Sequence, residues 1–288
     1  MIPRHWLFAA NGRLRAPWRI AVFFAATAVC VPLAGVIVVP AVATFYRLAG
    51  VGTAAVGWGW VAGLLAAHYV ALRVVDKRPW SDVWLDRTAA RVSPLARGFL
   101  IGAAAIALPV LLLVTVGWMD YATQPDGSWL GAAMRISIFL LPAAFFEELA
   151  TRGYLFAVLR EAWGSGWALV VTSVGFGLLH LQNVGATAQS VSIVVLAGFF
   201  LGAVLLALRS LYAAWMAHFA WNWTMAVLFH VAVSGLVLEG PDYRFVDSGP
   251  DWATGGSWGP EGGAAGGLGM LGGFAYLYAR RKRRREDS

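Results

Sequence analysis

The run LPAAFFEELATRGYLF, residues 141–156, places two adjacent carboxylates and an arginine inside an otherwise apolar stretch. Charged side chains at membrane depth are costly unless they are paired or reached by water, so they mark functional sites. Glu148 and Arg152 are four residues apart and can pair on one helical face. Glu147 is rotated by about 100° from its neighbour and is expected to point elsewhere, as a candidate general base. The alternative, a purely structural ion pair, suits Glu148 and Arg152 better than it suits Glu147.

Two further polar pairs lie in apolar segments at helical spacing. FGLLHLQN contains Phe176 and His180, and HFAWN contains His218 and Asn222. An imidazole and an amide on one helical face suit the binding of an oxyanion or the positioning of a water. Each pair also has a structural alternative, because interhelical hydrogen bonds of this kind contribute about 1 kcal/mol in membranes.

The other histidines in apolar segments, His68 and His230, have no polar residue at helical spacing. His230 follows His218 by twelve residues and is therefore rotated by about 120° around the same helix. We expect both side chains to be structural or interfacial.

The composition is that of a membrane protein. Of the 288 residues, 59% are apolar and 13% are charged, about half of the roughly 25% charged residues of globular domains. The mean hydropathy is +0.67. A single cysteine, Cys30, excludes a disulfide or a cysteine metal site within the chain. We predict an all-α, polytopic transmembrane helical bundle.

The hydropathy pattern predicts about eight transmembrane helices. The apolar segments are roughly 18–45, 51–74, 97–119, 129–160, 166–182, 186–208, 211–236 and 265–279. A span needs about 20 residues, so the fifth and the eighth are short. The first exceeds the core of a cleaved signal peptide and is interpreted as a retained span. The eighth is rich in glycines at a four-residue spacing, which suits close helix packing.

The basic residues predict an orientation. With a cytoplasmic N-terminus, nineteen of the 22 lysines and arginines lie on the cytoplasmic side, Arg135 lies within the fourth segment, and Arg47 and Arg244 lie on the opposite side. This split predicts an even number of spans, both termini in the cytoplasm and a location in the cell (plasma or inner) membrane. The net charge of +7 therefore reflects topology and a tail that lies on anionic lipid. We expect no nucleic-acid partner.

The expected organisation has four parts. Residues 1–128 form three N-terminal helices and include a Trp-rich interfacial segment at 76–96. Residues 129–236 form the core that carries the polar pairs, and 237–264 form an extracytoplasmic loop rich in Gly, Pro and Asp. Residues 265–288 form the last helix and the basic tail.

The three polar motifs, in this order and on separate hydrophobic helices, resemble the CAAX protease and bacteriocin-processing (CPBP, or Abi) family of intramembrane proteases, which includes the type II CAAX prenyl endopeptidases. The family pattern EExxxR, FxxxH and HxxxN/D matches EELATR at 147–152, FGLLH at 176–180 and HFAWN at 218–222. The resemblance covers about positions 129 to 235. It implies a helical bundle with a polar cavity formed by helices 4, 5 and 7, in which a peptide bond is hydrolysed.

The resemblance also implies roles for these residues. Glu147 and His180 would activate a water, and His218 with Asn222 would stabilise the oxyanion. The side chains expected to support this geometry are Glu148, Arg152 and Phe176.

A divalent metal such as Zn²⁺ is an open alternative. Glu147, His180 and His218 could ligate zinc and leave one position for water. However, the sequence lacks the HExxH arrangement that sets two histidines on one helical turn. We favour a metal-free mechanism.

Two other functions fit the same residues. A catalytically inactive scaffold or immunity protein would share the fold, and a proton-coupled transporter would use buried Glu and His as a proton relay. The transporter predicts inverted repeats and broken helices, which the sequence does not show apart from a kink that Pro142 could introduce.

The expected partners are the lipid bilayer and a peptide or membrane-protein substrate. The Ala, Arg, Trp and Gly bias indicates a GC-rich bacterial genome, in which prenylated substrates would be unusual.

The predicted helix boundaries place the three proposed site residues at different depths in the membrane. At 1.5 Å per residue, Glu147 is expected about 20 Å from the cytoplasmic end of its span and His180 about 21 Å into the next one. His218 is expected only about 10 Å into its own span. Shifted helix ends or tilt must bring the three to one depth if they form one site.

Overall fold

The structure is a computed structural model that describes residues 4–9, 12–48, 56–124, 127–238, 240 and 242–286. Helices dominate it. They are α1 (Arg4–Leu7), α2 (Ala16–Leu48), α3 (Gly57–His68), α4 (Val92–Thr115), α5 (Trp129–Arg152), α6 (Tyr154–Leu179), α7 (Ala188–Leu208), α8 (Leu211–Trp223), α9 (Asp251–Thr254) and α10 (Ala264–Glu286). π-Helical turns extend α3 over Tyr69–Val75 and α8 over Thr224–Phe229. The strands are β1 (Met119–Thr123) and β2 (Tyr243–Asp247).

The prediction of an all-α, multi-pass membrane protein is confirmed. Among the described residues, five helical stretches are long and apolar enough to cross a bilayer, namely Ala16–Phe45, Gly57–Val75, Val92–Thr115, Trp129–Leu179 and Ala188–Leu208. The count of eight spans is not confirmed. Each predicted apolar segment does contain a helix, but by length and composition the segments that hold α8 and α10 are not among the five.

The predicted fourth span, 129–160, is two helices. α5 runs through Pro142 without a break and ends at Arg152, and Gly153 then takes the non-helical values φ −80° and ψ −126°. α6 starts at Tyr154 and is itself interrupted at Gly164, where φ is +82°. Glu147 therefore lies about 8 Å from the end of its helix, at 1.5 Å per residue.

A buried histidine fixes the break between α5 and α6. The His68 side chain is fully buried, and its Nδ1 lies 2.8 Å from the carbonyl oxygen of Leu64, to which it donates. Its Nε2 accepts the backbone N–H of Tyr154 at 3.1 Å. This N–H belongs to the first turn of α6, where a helix supplies no acceptor of its own. His68 thus has the structural role expected for it.

The basic end of the bundle is joined by ion pairs. Arg19 of α2 lies 2.6 Å from Asp76 and 3.1 Å from Glu161 of α6. The Tyr154 hydroxyl donates to the same Asp76 carboxylate at 2.8 Å. Arg78 also pairs with Glu161. Because Arg19, Asp76 and Tyr154 are largely buried, this network attaches the start of α6 to α2 and to the loop after α3.

The predicted interfacial segment 76–96 packs against the starts of two site helices. Arg160 donates to the carbonyl oxygen of Asp82 at 3.2 Å, and its guanidinium lies 4.1 Å from the ring centroid of Trp84. Ser210, which caps α8, donates from Oγ to the carbonyl oxygen of Ala89 at 2.6 Å. The segment therefore contributes to the placement of α6 and α8.

Close packing of α4 against α8 depends on two glycines. Gly98 and Gly102 are four residues apart and lie directly against the backbone of Ala213 and Ala217. A Cβ at either glycine would overlap backbone atoms of α8, which cannot rotate out of the way as a side chain can. This spacing of small residues allows membrane helices to approach closely, and it places the part of α8 that carries His218.

Substitution of Gly102 by valine is expected to destabilise the fold by at least about 1–3 kcal/mol, the usual cost of overpacking. The measurement is the thermal unfolding midpoint in detergent. Gly175→Val is the matched control, because a Cβ there meets open space, and its midpoint should be no lower than that of the wild type. A Gly102→Val protein that unfolds at the wild-type midpoint would contradict the packing described here.

The end of the bundle opposite the ion pairs carries a small sheet and a folded connection. β1 and β2 pair antiparallel, with Met119 opposite Asp247 and Thr123 opposite Tyr243. Residues 248–263, which we call the connecting segment, follow β2 and lead into α10. The predicted loop 237–264 is thus largely structured, and its side chains Thr254, Trp258 and Glu261 are buried.

Candidate active site

Glu147, His180 and His218 converge from three helices. Glu147 Oε2 lies 3.8 Å from His180 Nε2 and 3.8 Å from His218 Nε2. The shifted end of α5 allows this meeting, because Glu147 and His218 each lie about 8–10 Å from the nearer end of their helices. His180 follows the last residue of α6 directly. Glu147, His180 and His218 therefore reach the same depth, as a single site requires.

Glu148 has the partner expected from its spacing and a second one from another helix. Arg152 Nη1 donates to Glu148 Oε1 at 3.0 Å, and both side chains are completely buried. His218 Nδ1 also lies 3.0 Å from Glu148 Oε1. Because a carboxylate oxygen only accepts, Nδ1 must carry a proton. Glu148 therefore orients the His218 ring with Nε2 towards Glu147.

His180 is oriented by its own helix. Its Nδ1 lies 2.8 Å from the carbonyl oxygen of Phe176 and must donate to it. In the neutral ring, Nε2 is then an unprotonated acceptor that faces Glu147. The Phe176 ring lies against both histidines, with centroid distances of 4.8 Å to His180 and 5.8 Å to His218.

The arginine of the first motif is held within the bundle. Arg152 donates to the carbonyl oxygen of Gly198 at 2.9 Å and to Thr151 Oγ1 at 2.8 Å. Its guanidinium carbon lies 4.4 Å from the ring centroid of Phe176, within the range of a cation–π contact. Phe176 thus contacts Arg152 as well as the two histidine rings.

The site contains acceptors that lack a donor. Glu147 Oε2 is buried and has no hydrogen-bond partner among the described residues. A separation of 3.8 Å from each Nε2 is too long for a direct hydrogen bond, and polar atoms at such distances are commonly bridged by a water. The geometry suits a water that donates to Glu147 and His180.

A cavity of about 30 Å³ adjoins the histidines. Its lining includes His180, His218, Asn222, Ser234 and Glu261. A cavity needs at least about 10–15 Å³ to hold one water, so this one has room for a water or two. Asn222 is half-buried and lies four residues beyond His218 on the same helix. Of the four residues with a predicted catalytic role, His180, His218 and Asn222 thus border this cavity, and Glu147 Oε2 lies 3.8 Å from both histidines.

Ser234 and Glu261 are site residues that the sequence did not reveal. Ser234 lies in a turn with φ of +50°, and Glu261 lies in the run GPEGG of the connecting segment. Ser234 lies near the end of the predicted apolar segment 211–236, and Glu261 lies outside the apolar segments. An acidic residue among glycines and prolines is typical of an exposed loop, so no local pattern marked it.

The described residues contain no group of three or more His, Cys, Asp or Glu side chains arranged to hold a metal ion. Glu147, His180 and His218 have suitable donor atoms, with Glu147 Oε2 3.8 Å from each Nε2, but they do not form such a group. We therefore derive no step through a metal.

These features define a multi-pass helical membrane protein with a partly buried Glu–His–His–Asn site suited to the activation of water. Residues 128–224 match the family of the Rce1-like type II CAAX prenyl endopeptidases. The match confirms the resemblance found from the motifs, and it covers about a third of the chain, including all three motifs. It supports a membrane protease that acts on a peptide. Searches of curated proteins and of solved structures gave no match.

Proposed function

We propose that this protein is an intramembrane endopeptidase that hydrolyses a peptide bond with a water activated by Glu147 and His180. The observation that carries the proposal is the convergence of Glu147 Oε2 with the Nε2 atoms of two histidines, each at 3.8 Å. The family match supports the reaction class. The burial of His218 and of the Glu148–Arg152 pair supports catalysis because charges and dipoles interact more strongly where water is excluded.

In the first step, the water attacks the carbonyl carbon of the substrate while Glu147 accepts one of its protons. His180 Nε2 accepts a hydrogen bond from the same water and orients it. The carbonyl π electrons move to the oxygen, which becomes the oxyanion of a tetrahedral intermediate. General-base assistance of this kind contributes about 10²–10⁴-fold to the rate.

His218 and Asn222 then stabilise the oxyanion. The Asn222 amide donates a hydrogen bond, and His218 donates from Nε2 when its ring is protonated. Glu148 accepts from His218 Nδ1 and so favours that protonated ring, as the aspartate of a serine protease triad does for its histidine. Collapse of the intermediate breaks the C–N bond, and the proton held by Glu147 passes to the leaving amine.

We propose that this chemistry needs no metal. Activity is then expected to be unchanged after dialysis against EDTA or 1,10-phenanthroline. The measurement is the rate of peptide cleavage before and after dialysis, with a known zinc peptidase treated in parallel as a control that loses activity. Loss of activity that is restored by added Zn²⁺ would contradict the metal-free proposal.

The substrate proposed is a hydrophobic or lipidated peptide segment that reaches the site from the bilayer. We also propose that both termini face the cytoplasm, because this orientation places the ion pairs of Arg19, Arg78 and Glu161 on the side favoured for basic residues. The protein would then lie in the cell membrane.

The test of the function is cleavage of a peptide library by the purified protein in lipid nanodiscs, followed by mass spectrometry. The library contains matched lipidated and unlipidated hydrophobic peptides. Fragments are expected from the wild type and not from His180→Ala. A wild-type protein that leaves every peptide intact would contradict the proposal and favour the inactive-scaffold alternative.

A further inference from the structure

Glu261 is a buried carboxylate at the proposed site that belongs to none of the three motifs. It lies in the connecting segment, 37 positions beyond the end of the family match at residue 224. Only 7% of its surface is exposed, and it borders the same cavity as His180, His218 and Asn222. A carboxylate is rarely buried unless other groups satisfy it.

Three donors from two other parts of the chain satisfy Glu261. Its Oε1 accepts the backbone N–H of Ser234 at 2.5 Å and the Ser234 hydroxyl at 2.6 Å. Its Oε2 accepts Trp221 Nε1–H at 2.9 Å. Hydrogen bonds to a charged acceptor are about twice as strong as those between neutral groups. Glu261 therefore joins α8 to the turn that contains Ser234.

The same turn is joined to the end of α6. The carbonyl oxygen of Ser234 accepts a hydrogen bond from Asn183 Nδ2 at 3.3 Å. The backbone N–H of Asn183 in turn donates to the carbonyl oxygen of His180 at 3.1 Å. A continuous chain of hydrogen bonds thus runs from His180 through Ser234 and Glu261 to Trp221.

Both ends of this chain reach proposed catalytic residues. One end is the backbone of His180 itself. The other is Trp221, which directly precedes Asn222 in α8 and packs against Phe200 in the cavity wall at a centroid distance of 6.1 Å. The helical backbone of α8 changes to a π-helical turn at Thr224, two residues beyond Asn222. The hydrogen bond from Trp221 to Glu261 therefore holds α8 close to the point where its regular helix ends.

We propose that Glu261 is a positioning residue that holds the water-activating His180 and the oxyanion-binding Asn222 in their relative places. The inference rests on the proposed function, since these two residues act on opposite sides of the scissile carbonyl. A displacement of about 1 Å at a catalytic group can cost 10²-fold in rate. Loss of Glu261 is thus expected to lower kcat and to leave KM nearly unchanged.

The test compares Glu261→Gln with Asp251→Asn. Glutamine keeps the size of the side chain, but it has one acceptor oxygen, so its NH₂ group meets a donor either at Ser234 or at Trp221. Asp251 is an exposed carboxylate of the same segment and serves as the matched control. We expect kcat to fall about 10–100-fold for Glu261→Gln and to stay at the wild-type value for Asp251→Asn.

Hydrogen–deuterium exchange gives a readout that does not depend on activity. In Glu261→Gln, the backbone amides of residues 180–186 and of 233–236 are expected to exchange faster than in the wild type. Glu147→Gln is the control for loss of activity alone, because Glu147 Oε2 has no hydrogen-bond partner among the described residues and its exchange should match the wild type. Glu261→Ala, if it folds, should increase both effects.

Trp221→Phe removes one donor and leaves the carboxylate in place, so it tests the link from its other end. If Glu261 acts through Trp221, the loss in kcat for the double variant Glu261→Gln/Trp221→Phe should be smaller than the product of the two single losses. Independent losses that multiply would overturn the Trp221 arm of the proposal.

The outcomes separate this inference from the proposed function. Faster exchange in both segments together with a lower kcat supports the positioning role. An unchanged kcat, or faster exchange confined to residues 248–263, would overturn it. If the wild type cleaves no peptide, the proposed function fails, and the exchange experiment still decides whether Glu261 holds the turn at Ser234 and, through Asn183, the end of α6.

Discussion

Replacement of Glu147 by glutamine is expected to lower kcat for peptide hydrolysis by about 10²–10⁴-fold, the usual contribution of a general base. The amide keeps the size of the side chain but cannot accept a proton from the attacking water. The measurement is the steady-state rate of the purified variant in nanodiscs on a peptide that the wild type cleaves.

Stability separates this effect from misfolding. The buried Glu147 Oε2 has no hydrogen-bond partner among the described residues, so Glu147→Gln should unfold at the wild-type temperature. Asp120→Asn, an exposed carboxylate of β1, is the matched control and should keep full activity. Retention of more than a tenth of the wild-type rate by Glu147→Gln would show that another group activates the water.

Replacement of Arg152 by methionine is expected to cost about 3–5 kcal/mol of stability, because the buried Glu148 carboxylate loses its arginine partner and keeps only the hydrogen bond from His218 Nδ1. Both side chains of this pair are completely buried, so water cannot replace the arginine at Glu148. The variant also loses the hydrogen bonds to Gly198 and Thr151. The measurement is the free energy of unfolding in mixed micelles.

A double variant tests the cause of that loss. Glu148→Met/Arg152→Met removes both charges and is expected to be more stable than Arg152→Met, since no uncompensated charge remains. It should nevertheless be inactive, because His218 Nδ1 loses its carboxylate acceptor. If Glu148→Met/Arg152→Met is less stable than Arg152→Met, the Glu148 charge left without its arginine is not the main cause of the stability loss in Arg152→Met.

The pairing of Arg152 with Glu148 and not with Glu147 could be predicted from the sequence. Adjacent residues on a helix point about 100° apart, so an arginine four residues after Glu148 can pair with only one of the two carboxylates. The structure shows this pair at 3.0 Å. The local rule sufficed because all three residues lie in one regular helix.

The end of α5 could not be predicted in the same way. The apolar composition continues past Arg152, and a hydropathy pattern does not register a change of backbone direction. The break at Gly153 depends on His68, which accepts the N–H of Tyr154 from a helix 86 positions earlier in the sequence. Long-range contacts of this kind determine where α5 ends and therefore the depth of Glu147. The depths predicted for the motif residues disagreed because the sequence did not reveal this helix end.

The role of the connecting segment was also outside the reach of local patterns. Gly, Pro and Asp predicted an exposed loop, and such composition does correctly mark turns. The burial of Glu261 follows instead from Trp221 and Ser234, which lie in parts of the chain that only the fold brings together. The family match ends at residue 224 and does not include it.

The central claim is that Glu147 and His180 activate the same water. It is tested most directly by the single-turnover cleavage rates of Glu147→Gln, His180→Ala and the double variant on one peptide. Residues that act as a unit give strongly non-additive losses, so the double variant is expected to cleave no more than a few-fold more slowly than the slower single variant. Losses that multiply, or cleavage that survives both substitutions, would contradict the account.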